Sequence, residues 1–113
     1  MKRIIISIML LASIFLIGCT GKANTAVGYD TFAQCLTDKG VKMYGAEWCS
    51  HCQNQKAMFG SSFQYVDYVD CEQSQQECSI AGIQGYPTWK ISGNDYPGEQ
   101  SFERLASLSG CKL

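Results

Sequence analysis

The chain has 113 residues, with nine basic and ten acidic side chains, one histidine and a net charge of −1. That length suffices for one small domain and no more, and without a cluster of basic residues no nucleic-acid partner is expected. Seven cysteines in so short a chain direct attention to thiol or metal chemistry, and the odd count leaves one over if the rest pair.

The first element is an apolar run. Lys2 and Arg3 precede a stretch from Ile4 to Ile17 that is apolar but for two serines. It is short for a bilayer span, and a basic segment before a short apolar one describes a secretory signal. Leu16-Ile17-Gly18-Cys19 resembles the bacterial lipobox, which implies a signal peptide over 1–18, lipidation of Cys19 and a polar tether over 19–28. The alternative is an uncleaved anchor. The expected location is therefore outside the cytoplasm, on a membrane facing the periplasm or the cell exterior. With Cys19 assigned to lipid, six cysteines remain, and an oxidising compartment favours disulfides among them. Fifteen connectivities are possible for six cysteines.

The remaining chain, 29–113, reads as one domain. Tyr29 to Lys39 predicts a helix capped by Asp30 or Thr31 and ended by Gly40. Val41 to Ala46 predicts a short strand leading to Cys49. Cys52 to Phe59 predicts a helix closed by Gly60. Residues 63–70, FQYVDYVD, alternate and are rich in aromatic and β-branched types, which predicts a strand. Ser74 to Ala81 predicts a short helix stopped by Gly82. A strand over 86–91, a turn over 92–95 and an edge strand over 96–100 follow, with Pro97 suited to an edge. Ser101 caps the last helix, in which Phe102, Leu105 and Leu108 form a core stripe ended by Gly110. The predicted order is α-β-α-β-α-β-β-α, an α/β fold.

The stretch GAEWCSHCQNQKAMFG holds two cysteines three positions apart, with the only histidine between them. Spacing alone leaves open a metal clamp, a structural staple or a redox switch. The context "MYGAEWCSHC" followed by "GYPTW" resembles the thioredoxin superfamily. The motifs "YVDC", "CSIAGIQGYPTW" and "SFERLASLSGC" are similar to the thioredoxin-like domain fused to bacterial vitamin K epoxide reductase homologues. The resemblance covers about Val41 to Cys111. It implies a thioredoxin-like fold, a central mixed β-sheet flanked by helices, and an enzyme exchanging disulfides with protein substrates. It also implies a quinone-linked membrane protein as redox partner. No cofactor or metal is expected, and the protein is expected to be a monomer.

The chemistry of the pair follows from position. Cys49 at a helix N-terminus meets unpaired N–H groups and the positive end of the macrodipole, which favour a thiolate, and the thiolate is the nucleophile in exchange. Cys52, one turn inside, is the resolving thiol. His51 can stabilise the Cys49 thiolate by hydrogen bonding or charge, which makes the pair a stronger oxidant; the plainer alternative is a polar surface residue. The resemblance makes Pro87 a cis-proline opposite the pair and Tyr86 a shaper of the substrate groove. Trp48 is expected to be part core and part rim. Related proteins bury an acid six positions before the first cysteine. Here Met43 stands there, so water or another group must take the proton of Cys52.

The related domains carry a cysteine pair after the second strand, which implies a Cys71–Cys78 disulfide, structural or relaying. Cys35 and Cys111 then pair by elimination. Two alternatives stand beside the oxidant or isomerase reading. One is an extracytoplasmic reductant of the same fold. The other is a metal-binding lipoprotein using Cys49, Cys52, Cys71 and Cys78, against which the C-x6-C spacing argues.

Overall fold

A computed structural model of the chain describes residues 28–113. The expected signal peptide over 1–18, Cys19 and all but the last residue of the tether lie outside the described residues. The elements run α1 (Asp30–Asp38), β1 (Lys42–Gly45), α2 (Ser50–Phe59), a 3-10 segment (Gly60–Tyr65), β2 (Asp67–Asp70), α3 (Gln75–Ile80), β3 (Thr88–Ile91), β4 (Asn94–Pro97) and α4 (Phe102–Ser109). The predicted order of helices and strands is the observed one.

The sheet is mixed, in the order β2-β1-β3-β4, with β1 parallel to β2 and antiparallel to β3, and β3 antiparallel to β4. Adjacent strand residues point to opposite faces, and both faces of β1 are covered. Met43 is buried with Leu36, Phe59, Trp89 and Leu105 in the main core, whereas Tyr44 is buried with Val69, Cys71 and Cys78 in a second cluster. This double burial explains why β1 shows no simple alternation of apolar and polar residues. Pro97 falls on the edge strand β4, where its missing N–H costs no ladder bond.

Several boundaries differ from expectation for identifiable reasons. Residues 63–65 of the expected strand belong to the 3-10 segment, and β2 begins only at Asp67. The apolar residues of that segment serve packing of another kind, Phe63 lying edge-on to Phe59 at 6.0 Å. The expected four-residue turn is a tight two-residue one. Ser92 and Gly93 both have positive φ, 51° and 80°, and Ile91 pairs directly with Asn94, as in a type I′ hairpin. Strand β4 therefore occupies 94–97 rather than 96–100.

Helix ends are held by both local and distant groups. Gly40 at φ 75° closes α1, with N–H groups of Gly40 and Val41 donating to Thr37 and Leu36 carbonyls, the Schellman pattern. Ser101 Oγ caps α4 by accepting from the Arg104 N–H at 3.1 Å. Neither Asp30 nor Thr31 caps α1, since its cap position is Tyr29 without a side-chain cap bond. Buried Ser62 supplies the contact instead, accepting from the Tyr29 N–H at 2.9 Å and donating to the Asp30 carboxylate at 2.5 Å.

Candidate active site

Helix α2 begins at Ser50, two residues before the sequence estimate, and Cys49 is its N-cap. The Cys49 Sγ accepts the N–H of Cys52 at 3.2 Å, one of the first-turn donors that a helix leaves unpaired. Sulfur takes the role that a Ser or Asp oxygen plays at ordinary caps. Both Cys49 and Cys52 are free thiols in this structure, and both are buried, Cys52 completely. Burial pushes the Cys52 thiol up to about 12, and its contact with Cys49 adds to the shift. The two sulfurs are thus unequal, one at the mouth of a helix and one inside it.

Position α2 is held by a polar hub. Gln55 is fully buried, one turn beyond Cys52. Its Oε1 accepts from Trp89 Nε1 at 3.0 Å and from the Gln100 N–H at 2.7 Å, while its Nε2 donates to the Gln100 carbonyl at 3.1 Å. These bonds tie the cysteine-bearing helix to β3 and to the segment leading into α4.

A cavity of about 600 Å³ opens beside the pair, lined by Trp48, Cys49 and His51 on one side and by Ile83, Gly85 and Tyr86 on the other. Trp48 is not part of the core. It is 65 % exposed and meets Tyr86 edge-on at 6.0 Å. The Tyr86–Pro87 bond is cis, with Pro87 buried. The His51 ring turns to Glu99, its Nδ1 lying 2.7 Å from the Glu99 carboxylate, so the bond goes to an acid from the β4–α4 connection and not to Cys49.

Cys35 is joined to Cys111, and Cys71 to Cys78. With Cys71 and Cys78 bonded to each other, the four thiolates of a metal site are not assembled. Met43, six positions before Cys49, is fully buried. Glu47 is exposed and lies 3.4 Å from Lys56 Nζ.

Glu99, Gln55 and Gly45 escaped the sequence reading. A polar residue three positions after Cys52 was a signal for Gln55, since that spacing puts it on the same helix face. Gly45 is required by close approach, because a Cβ there would meet Cys52 Sγ at 2.8 Å. Nothing local could mark Glu99, which is 48 residues from its partner.

Comparison with known proteins gives a consistent picture. The thioredoxin family model matches residues 25–107. The thiol-disulfide oxidoreductase LTO1 of Arabidopsis thaliana is 39 % identical over 90 residues, covering 72 % of this chain and 24 % of that protein. Protein disulfide isomerase-like 2-2 of Oryza sativa subsp. japonica is 35 % identical over 87 residues, 63 % of this chain and 23 % of that protein. Protein disulfide isomerase-like 5-1 of the same plant is 27 % identical over 109 residues, 87 % of this chain and 72 % of that protein. The chain thus spans about a quarter of the length of the first two relatives.

Proposed function

The chain belongs to the thioredoxin family, and from that premise we propose that it is an exported thiol–disulfide oxidoreductase acting on protein substrates, in the oxidising or isomerising direction. The observation that carries this reading is the inequality of the two sulfurs. Cys49 caps a helix at the edge of an open groove, while Cys52 is buried one turn inside it. An N-cap sulfur can hold negative charge on the helix dipole, so Cys49 is the attacking or attacked atom and Cys52 resolves the mixed disulfide. The cavity of about 600 Å³ that Trp48, Cys49 and Tyr86 line is the place for a client segment to meet Cys49, with the cis Tyr86–Pro87 bond at its rim.

The finer parts of the reading come from the sequence. The lipobox-like Cys19 makes this a lipid-anchored protein, with residues 1–18 removed and 19–28 as tether. The motifs shared with the domain of vitamin K epoxide reductase homologues make a quinone-linked membrane protein its electron partner. The oxidising direction rests on His51, which lines the same cavity as Cys49 and, when protonated, favours the reduced pair and so raises the potential.

The test is a Cys52→Ala trap in cells. Client proteins are expected to accumulate as mixed disulfides with Cys49, and the purified wild-type pair is expected to oxidise a reduced, unfolded test protein. Failure of both overturns the reading. Loss of membrane fractionation in Cys19→Ala checks the anchor separately.

A further inference from the structure

We propose that Glu99 is a positioning residue of the exchange site: it holds the His51 ring by Nδ1 and so leaves Nε2 as the nitrogen that serves the cavity beside Cys49. The inference rests on the disulfide-exchange reading above and adds a residue which that reading does not use. It starts from the short connection between β4 and α4, far from the cysteine pair in sequence.

That connection is fixed on both sides of Glu99. The Gly98 N–H donates to the Pro87 carbonyl at 2.7 Å, which ties the residue before Glu99 to the cis-proline. Gln100, the residue after it, is buried. Its N–H donates to Gln55 Oε1 at 2.7 Å, and its carbonyl accepts from Gln55 Nε2 at 3.1 Å. The Gln100 side chain turns back to the carbonyls of Pro97 and Gly98, at 3.1 and 3.3 Å. The carboxylate of Glu99 therefore springs from backbone anchored at either side.

Helix α2 meets this connection at two points. His51 and Gln55 are four positions apart, a spacing that puts them on one helix face. Gln55 grips Gln100 in the core, and His51 meets Glu99 at the surface, with 2.7 Å between Nδ1 and Oε2. The His51 side chain is 68 % exposed, so little packing holds the ring, and the bond to Glu99 is what orients it.

A carboxylate only accepts hydrogen bonds, so the proton in this contact belongs to Nδ1. The bond made by one ring nitrogen settles the state of the other. With Nδ1 keeping its proton, Nε2 is the nitrogen that can lose or gain one, and the shape of the ring turns it away from Glu99. His51 and Cys49 line one cavity, together with Trp48, Ile83, Gln84 and Tyr86. No other lining residue is a base, so His51 is the one side chain there that can carry positive charge. When the ring is neutral, Nε2 accepts a hydrogen bond from a thiol in the cavity; when it is charged, Nε2 donates one to a thiolate. Either service needs a single ring orientation. Without Glu99 the imidazole would turn about χ2 and exchange its tautomers.

The experiment uses the fact that the chain has one histidine. In nitrogen NMR spectra at a pH where the ring is neutral, wild-type His51 is expected to carry its proton on Nδ1. Glu99→Ala is expected to return it to Nε2, the ordinary preference of a free histidine side chain. The same variant is expected to shift the glutathione equilibrium of the pair toward the disulfide by about three-fold or more. In a His51→Ala background it is expected to add no shift. A wild-type ring with its proton on Nε2 overturns the proposal. So does a folded Glu99→Ala whose equilibrium is unchanged or moves toward the dithiol, and so does a shift of equal size without His51. These results leave the oxidoreductase reading standing, whereas a wild-type pair inert to glutathione overturns both. If Glu99→Ala fails to fold, the wild-type tautomer decides alone.

Discussion

Cys52 and His51 show how much one side chain's surroundings matter. Cys52 is raised from 9.0 to about 12, chiefly by burial. An acid raised in the folded state favours folding below its unfolded value, and that contribution is lost as pH climbs through the folded one. The reduced protein is therefore expected to lose stability between about pH 9 and pH 12 relative to the oxidised one, whose paired sulfurs cannot titrate. Denaturant midpoints of both forms at neutral and alkaline pH measure this difference. His51 is 68 % exposed at its side chain and fixed by Glu99, so its removal should leave the fold intact. His51→Ala is expected to move the potential of the pair toward the reducing end by about 30 mV or more, equivalent to about 1.4 kcal/mol. Equilibration with glutathione checks the shift.

Helix α2 illustrates what an element needs beyond its own pattern. Cys52, Gln55 and Phe59 form its buried face, and the middle one is polar. Gln55→Leu is expected to destabilise the protein by about 3 kcal/mol, because Trp89 Nε1–H and the Gln100 N–H would be left buried and unpaired. Thermal unfolding of the oxidised variant measures this. The 3-10 segment and β2 carry the opposite lesson. Residues 63–70 have the composition of one strand, yet only 67–70 pair with β1, because Phe63 packs under α2 against Phe59. Aromatic residues that suit a pleated surface suit a helical turn against a core equally well. Period-2 alternation could not tell the two apart.

For the whole molecule, the two disulfides do different amounts of work. Cys35–Cys111 spans 76 residues and joins α1 to the segment after α4, whereas Cys71–Cys78 spans 7. Chain-entropy reasoning assigns about 4.5 kcal/mol to the long clasp and about 2.5 kcal/mol to the short loop. The double variant Cys35→Ser, Cys111→Ser is thus expected to lower Tm more than Cys71→Ser, Cys78→Ser, in scans of otherwise oxidised protein. By itself the sequence determined the class of fold, the order of its elements, the helical spacing of Cys49 and Cys52, and the caps at Gly40, Gly60 and Ser101. All of these depend on side chains within a few positions of one another, where 3.6-residue and 2-residue periods and φ preferences act directly. Only the tertiary structure decided that His51 turns to Glu99, that Gln55 grips Gln100, and that Ser62 serves the start of α1. Those contacts join residues far apart in the chain, and they exist because the β2-β1-β3-β4 sheet brings its neighbours together. No local pattern encodes which strand lies beside which.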